Sequence, residues 1–250
     1  MSIKLKTLLS IAGSDPMGGA GIQADIRVGL SLGVHVMTAV TSVTAQNSKE
    51  FIEMGPVRSD LLKLQLKAIQ QDILPDAVKI GMIGTVDNLM VISGYLSQLP
   101  KDIPIILDPV LKISSDSSAT YHEKDFIDCY KKFILPFATV ITPNLEENIF
   151  PKHGAVIIKG GHNNDTIIED ILIMNDLRFI CRHKRIDCQN LHGTGCVFSS
   201  LLSCYLALGN TIRESFEKTV DSMDKIIRRS CEYKLGTSDY GPLNINNYRL

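Results

Sequence analysis

The chain has 250 residues, 44% of them hydrophobic, and a net charge of −1. That is enough for a substantial core in one domain over residues 1–250, with no low-complexity linker or charge block to divide it. The near-neutral balance without a basic stripe argues against a nucleic-acid partner, and no apolar run approaches the roughly 18 residues of a membrane span. The six cysteines, at 129, 181, 188, 196, 204 and 231, form neither a CxxC pair nor a zinc-like spacing with histidine. They read as reduced thiols, and with no signal-peptide pattern behind Met1 the expected compartment is the cytoplasm.

Residues 7–12 form a short apolar run that ends at Gly13, the look of a buried strand. A loop with glycines at 13, 18, 19 and 21 follows, and then a stretch of helical character over 22–30. This strand, glycine loop and helix suit a ligand-binding crossover, although the spacing fits neither GxGxxG nor a Walker A loop. Asp25 in that helix is by default a solvated surface carboxylate. Residues 35–45 read as a second strand that delivers Gln46 and Asn47 at its end, as heterocycle-reading amides or as turn formers. A helix over 59–73 presents Leu62, Leu66, Ile69 and Ile73 on one face, and another covers about 86–99.

Four further strands are expected at 77–81, 105–108, 139–142 and 155–159, each apolar and each closing on polar or glycine residues: Gly81-Met82, Asp108, Pro143-Asn144 and Lys159-Gly160-Gly161-His162. Strands that alternate with helices and carry polar groups only at their C-terminal ends imply an α/β fold with a mainly parallel sheet and a ligand crevice along that edge. Residues 167–180, broken at Asn175-Asp176, suggest an appended antiparallel hairpin. Thr211 to Glu214 is a capping box opening a last helix that should end near Gly236.

The segment Asn190-Leu191-His192-Gly193-Thr194-Gly195-Cys196 runs into the apolar stretch 197–208. Two glycines bring peptide N–H groups close to a ligand, and a helix starting there leaves its first donors unpaired, a site for phosphate oxygens. Cys196 in the first turn would then have a lowered pKa, as thiolate nucleophile or proton acceptor. The four residues Gly193 to Cys196 fit equally well a loop entering a buried helix, with Cys196 as a small core residue.

Taken in order, Ala12-Gly13-Ser14-Asp15-Pro16, Gly18 to Asp25, Thr44-Ala45-Gln46-Asn47, Lys79-Ile80-Gly81-Met82, Asp108-Pro109-Val110, Ile141-Thr142-Pro143-Asn144, Lys159-Gly160-Gly161-His162 and His192 to Cys196 resemble the hydroxymethylpyrimidine and phosphomethylpyrimidine kinases of thiamine biosynthesis. The resemblance covers nearly the whole chain. It implies a ribokinase-like three-layer α/β/α sandwich that binds a pyrimidine at the strands' C-terminal ends beside ATP, and commonly a homodimer. By motif, Ala20, Asp25, Gln46, Met82 and Val110 would line the pyrimidine pocket. Asp25 and Gln46 would pair with the aminopyrimidine edge, and Met82 and Val110 would cover its faces. Gly193, Thr194, Gly195 and Cys196 would form the anion hole, with Cys196 accepting the hydroxyl proton. Lys159, Thr194 and Asn144 would contact the nucleotide, and Asp108 with Glu147 would hold Mg²⁺. The chain departs from the family in the 14 residues between Asn144 and Lys159, fewer than usual, so one helix and part of the nucleotide wall are expected to be missing. The alternative readings are a pyridoxal kinase of the same family and a catalytically silent ligand sensor.

Overall fold

The computed structural model describes residues 4–110, 112–113, 116–120, 124–143, 154–162, 166–237 and 240–245. In chain order the elements are β1 (Thr7–Ser14), α1 (Gly21–Leu32), β2 (His35–Gln46), β3 (Phe51–Pro56), α2 (Ser59–Gln70), β4 (Ala77–Ile80), α3 (Val86–Leu96), β5 (Ile105–Leu107), β6 (Lys112–Ile113), β7 (Asp116–Thr120), α4 (Lys124–Phe133), β8 (Val140–Ile141), β9 (Ala155–Ile158), β10 (Ile167–Met174), β11 (Leu177–Lys184), α5 (Thr194–Ala207) and α6 (Ile212–Ser230).

Among the described residues, nine strands make one sheet in the order β11-β10-β9-β8-β5-β4-β1-β2-β3, and β6 pairs separately with β7. The run from β9 to β2 is parallel, and β3, β10 and β11 add antiparallel edges. This is the ribokinase-like α/β arrangement expected. Strand alternation sorts the core into two layers: Leu8, Ala77 and Ile106 pack toward α1, α5 and α6, while Leu9, Val78 and Ile105 pack toward α2, α3 and α4. Because β2 and β4 flank β1 on opposite sides, the chain reverses its direction of winding at β1, which opens a crevice at the strands' C-terminal ends.

The hairpin reaches farther than its sequence pattern suggested, to Lys184, and turns through Asn175 (φ 50°) and Asp176 (φ 62°). Two successive left-handed residues are the geometry that matches strand twist in a two-residue loop. The capping box at Thr211 and Glu214 is formed. The last helix stops at Ser230 rather than near Gly236, because the Asn190 side-chain amide takes the carbonyls of Ser230 and Tyr233, each at 2.6 Å. No helix among the described residues is long and apolar enough to cross a membrane.

Candidate active site

Two glycine loops meet over the C-terminal ends of β1 and β4, and one buried carboxylate organises both. Asp15, 2% exposed, accepts hydrogen bonds from the backbone N–H groups of Met17 (2.9 Å), Gly19 (3.0 Å) and Ala20 (2.8 Å), and lies 2.9 Å from His192 Nε2. The first three contacts fold the loop before α1, and the fourth ties it to the loop before α5. The contact between loops is too close for side chains. A Cβ on Gly19 would lie 2.5 Å from His192 Cδ2, and one on Gly193 would lie 1.8 Å from the Gly19 carbonyl oxygen.

Burial alone would raise the Asp15 pKa, but the His192 contact and the backbone donors overcome it and hold the carboxyl below its ordinary 3.8. A carboxylate lowered in this way stabilises the fold fully above its unfolded pKa and loses that contribution as pH falls through the folded value. Asp15→Asn is therefore expected to cost about 2–3 kcal/mol at neutral pH. In urea titrations the variant should converge with the parent as pH drops below about 4. Equal stability at pH 7 would refute the role.

Gly193 is the N-cap of α5, with φ 87° and ψ 9°, and no side chain caps the helix. The first-turn N–H groups of Gly195 and Cys196 thus stand at the open end of α5, where the helix dipole adds roughly half a positive charge. A cavity of about 430 Å³ opens onto this turn and runs in both directions. Ala20, Gln46, Met82 and Val110 line it toward β2 and β5, and Asp108, Lys159 and the 193–196 turn line its floor. Gln46 is fixed through Nε2 on Thr44 Oγ1 (3.0 Å), and Met82 through Thr41 Oγ1 on its carbonyl (2.5 Å). The Met82 Cε would be 2.3 Å from a Cβ on Gly13, so the methyl sulfide packs onto bare backbone.

Toward the hairpin the wall includes Ile168, Asp170, His183, Phe198, Met223 and Ile227. Asp170 accepts the Gly160 N–H (2.9 Å) and contacts His183 Nε2 (3.1 Å), which fixes the turn that follows Lys159. That hydrogen bond to Asp170 raises the His183 pKa. Lys159 Nζ is 3.4 Å from Asp108 Oδ1 and 3.6 Å from where a Gly195 Cβ would be, so it stands beside the open turn. Asp108 also accepts from Ser199 Oγ (2.9 Å). Burial raises its pKa, but Lys159, Lys79 and Ser199 together hold it below the ordinary value, as an anion.

Two expectations need correction. Asp25 does not line the cavity. It is fully buried beneath it, with one carboxylate oxygen on Lys79 Nζ (2.5 Å) and Ser200 and the other on Ser10, so it has no oxygen to offer a ring edge. It is not a solvated surface carboxylate either. The Cys196 pKa is not lowered as expected. Burial pushes its pKa up to about 11, and the neighbouring charges of Asp108 and Asp25 oppose ionisation; together these outweigh Lys79 and the Gly21 N–H that favour it. An open helix end favours the thiolate, but the carboxylates of Asp108 and Asp25 stand against it.

Asn144 and Glu147 lie outside the described residues, as does the 145–153 part of the short stretch in which a helix is expected to be missing. Sequence reasoning named Lys79 only within a motif and gave it no role, although a lysine inside the apolar strand Ala77-Val78-Lys79-Ile80 demands a buried anion. It likewise gave no part to Asp15, His192 or the Asp170–His183 pair.

The phosphomethylpyrimidine kinase family model matches residues 15–150 and 151–244. A hydroxymethylpyrimidine/phosphomethylpyrimidine kinase of Staphylococcus aureus (strain MSSA476) is 35% identical, over 97% of this chain and 94% of its own length. One of Bacillus subtilis (strain 168) is 34% identical, over 94% and 93%. Among solved structures, an ADP complex of Bacillus subtilis pyridoxal kinase aligns with a TM-score of 0.85 at 26% identity, covering 99% of this chain and all of that one. A phosphomethylpyrimidine kinase of Clostridium difficile 630 aligns at 0.74 and 29%, covering 88% and 98%. A family model matched from Asp15 through the 193–196 turn, with relatives 34–35% identical over nearly the whole chain, means that this chain belongs to the phosphomethylpyrimidine kinase family.

Proposed function

We propose that this protein transfers the γ-phosphoryl group of ATP to the hydroxymethyl oxygen of 4-amino-5-hydroxymethyl-2-methylpyrimidine and, in a second step, to its monophosphate. The observation that carries the reading is one continuous cavity. An amide and two apolar side chains (Gln46, Met82, Val110) stand at one end, and the open turn of α5 with Lys159 stands at its centre. A flat ring bearing an amino group needs both kinds of contact, and the transferring phosphoryl group needs donors already in place.

In this mechanism Gln46 reads the ring edge, Met82 and Val110 hold its faces, and Ala20 closes the pocket beside the α1 loop. The hydroxymethyl oxygen forms a bond to Pγ as the bond from Pγ to the bridging oxygen breaks, and ADP leaves with that electron pair. The N–H groups of Gly195 and Cys196 and the Lys159 ammonium take up charge on the equatorial oxygens. Little proton abstraction is needed at a loose transition state, so the protonated Cys196 thiol orients the hydroxyl, whose proton passes late to an oxygen of the transferred phosphoryl group. Thr194 and, outside the described residues, Asn144 are assigned to the nucleotide. Asp108 suits Mg²⁺, which usually takes one or two carboxylates together with phosphate oxygens and would neutralise phosphate charge; Glu147 is the expected second carboxylate. A homodimer in the cytoplasm belongs to the same reading, and the six free cysteines accord with a reducing compartment.

Incubation with Mg-ATP and each ring compound, followed by product mass analysis, tests the proposal. The pyrimidine should gain one and then two phosphoryl groups. Phosphorylated pyridoxal alone would overturn this reading in favour of the second one, which the 0.85 TM-score to a pyridoxal kinase recommends. Stabilisation by the pyrimidine and never by ATP would favour a sensor. For Cys196, orientation without base catalysis predicts that Cys196→Ser keeps kcat within about tenfold and that its kcat–pH profile overlies the parent's between about pH 6 and 9. A thousandfold loss in the serine variant would restore the thiolate mechanism.

A further inference from the structure

Lys79 stands where stability alone gives no reason for a cation. Its strand is buried throughout, and its side chain is fully enclosed. Register pairs Lys79 with Ser10 of β1, which puts both on the face that meets α1 and α5. There Nζ lies 2.5 Å from Asp25 Oδ1, 3.1 Å from Ser200 Oγ and 3.2 Å from the main-chain oxygen of Cys196. Ser200 Oγ is 2.7 Å from that same oxygen, and Ser199 Oγ is 3.1 Å from it. Burial disfavours the lysine's charge, but Asp25 more than compensates, and the ammonium stays protonated. Removing such a pair from water is expensive, and apolar replacements are often as stable or more so.

The cluster ends on one carbonyl, and that carbonyl belongs to the turn whose N–H groups face the cavity. Resting on the kinase reading above, we infer that Lys79, held in place by Asp25, is a positioning residue for phosphoryl transfer. It fixes the first turn of α5 from behind and sets its charge directly beneath the group being transferred. Displacing reacting groups by about 1 Å can cost on the order of a hundredfold in rate, so the effect falls on turnover more than on binding.

The test is the double variant Lys79→Met with Asp25→Asn in the full chain, which removes both charges and strands neither. It should melt near the parent, keep KM for ATP and pyrimidine within about twofold, and lose about 30–100-fold in kcat. The single variants give a readout independent of turnover. Alkylation of Cys196 by iodoacetamide at fixed pH, followed by peptide mass spectrometry, should be faster in Asp25→Asn, where the Lys79 charge is unopposed, and slower in Lys79→Met. Ser200→Ala, which deletes only one bridging hydroxyl, should lose about 5–10-fold in kcat at unchanged KM, and it decides the matter if the double variant does not fold. Parental kcat in a folded double variant or in Ser200→Ala, or equal alkylation rates in the two single variants, would overturn the inference. A parent protein that does not phosphorylate the pyrimidine would instead defeat the functional proposal, while the alkylation rates would still report on the placement of Lys79.

Discussion

Gly193→Ala is expected to abolish measurable turnover, with kcat/KM falling by more than about a thousandfold for pyrimidine and ATP alike. Two independent constraints act on this residue. Its φ of 87° lies in the left-handed region that strains any residue with a side chain. Its Cβ would also stand 1.8 Å from the Gly19 carbonyl oxygen and 3.3 Å from the Ala20 Cα, backbone atoms that cannot rotate away. Relief requires the two loops to separate, which breaks the 2.9 Å contact between His192 and Asp15 and turns the N–H groups of Gly195 and Cys196 off the cavity. Because the same movement shifts Ala20, the pyrimidine pocket suffers along with the anion hole. Steady-state kinetics with circular dichroism to verify folding would check this. A folded variant within tenfold of the parent would show that the two loops need not touch for phosphoryl transfer.

The sheet was readable because its parallel strands are short apolar runs stopped by glycine or a polar residue. Burial on both faces leaves that mark whatever the neighbouring sequence does. β3 escaped the reading because Phe51–Pro56 is an exposed edge carrying Glu, Gly and Pro, which lack strand patterning. α4 was not expected either, although Phe126 and Tyr130, both buried at i and i+4, leave a helical signal. At the site, Ala20, Gln46, Met82, Val110, Asp108, Lys159 and residues 193–196 could be collected from sequence because each follows a strand or glycine turn on the ligand edge, and they do line one cavity. Asp25 shows the limit of that reasoning. Its position near the glycine loop is evident in the chain, but the direction of its side chain depends on Lys79, 54 residues later, and on Ser200, 175 residues later. The direction of the Cys196 pKa shift is hidden in the sequence for a related reason. A helix terminus is a local feature, whereas the carboxylates that offset it come from the residue after β5 and from α1.

Lys159→Met should reduce kcat by about two to three orders of magnitude while leaving KM for the pyrimidine within about twofold. The side chain leaves the end of β9, with Nζ 3.4 Å from Asp108 and close to the path of the open turn before α5. No described pyrimidine-pocket residue contacts it in the hydrogen-bond network, so ring binding should not depend on it. Methionine retains much of the chain's bulk and removes only the cation, which isolates charge from packing. A second consequence separates catalysis from structure. Asp108 would keep Ser199 at 2.9 Å and Thr142 at 3.4 Å but lose its largest favourable charge, so its pKa should rise; the variant's loss of stability relative to the parent should be largest near neutral pH, where the carboxylate is charged, and should shrink as pH falls and it protonates. Pairing Lys159→Met with Asp108→Asn should recover stability at neutral pH without recovering turnover, since the charge that faces the phosphates is still missing. If the double variant regained kcat, Lys159 would be a partner that keeps Asp108 in place, and the anion hole would work through backbone N–H groups alone.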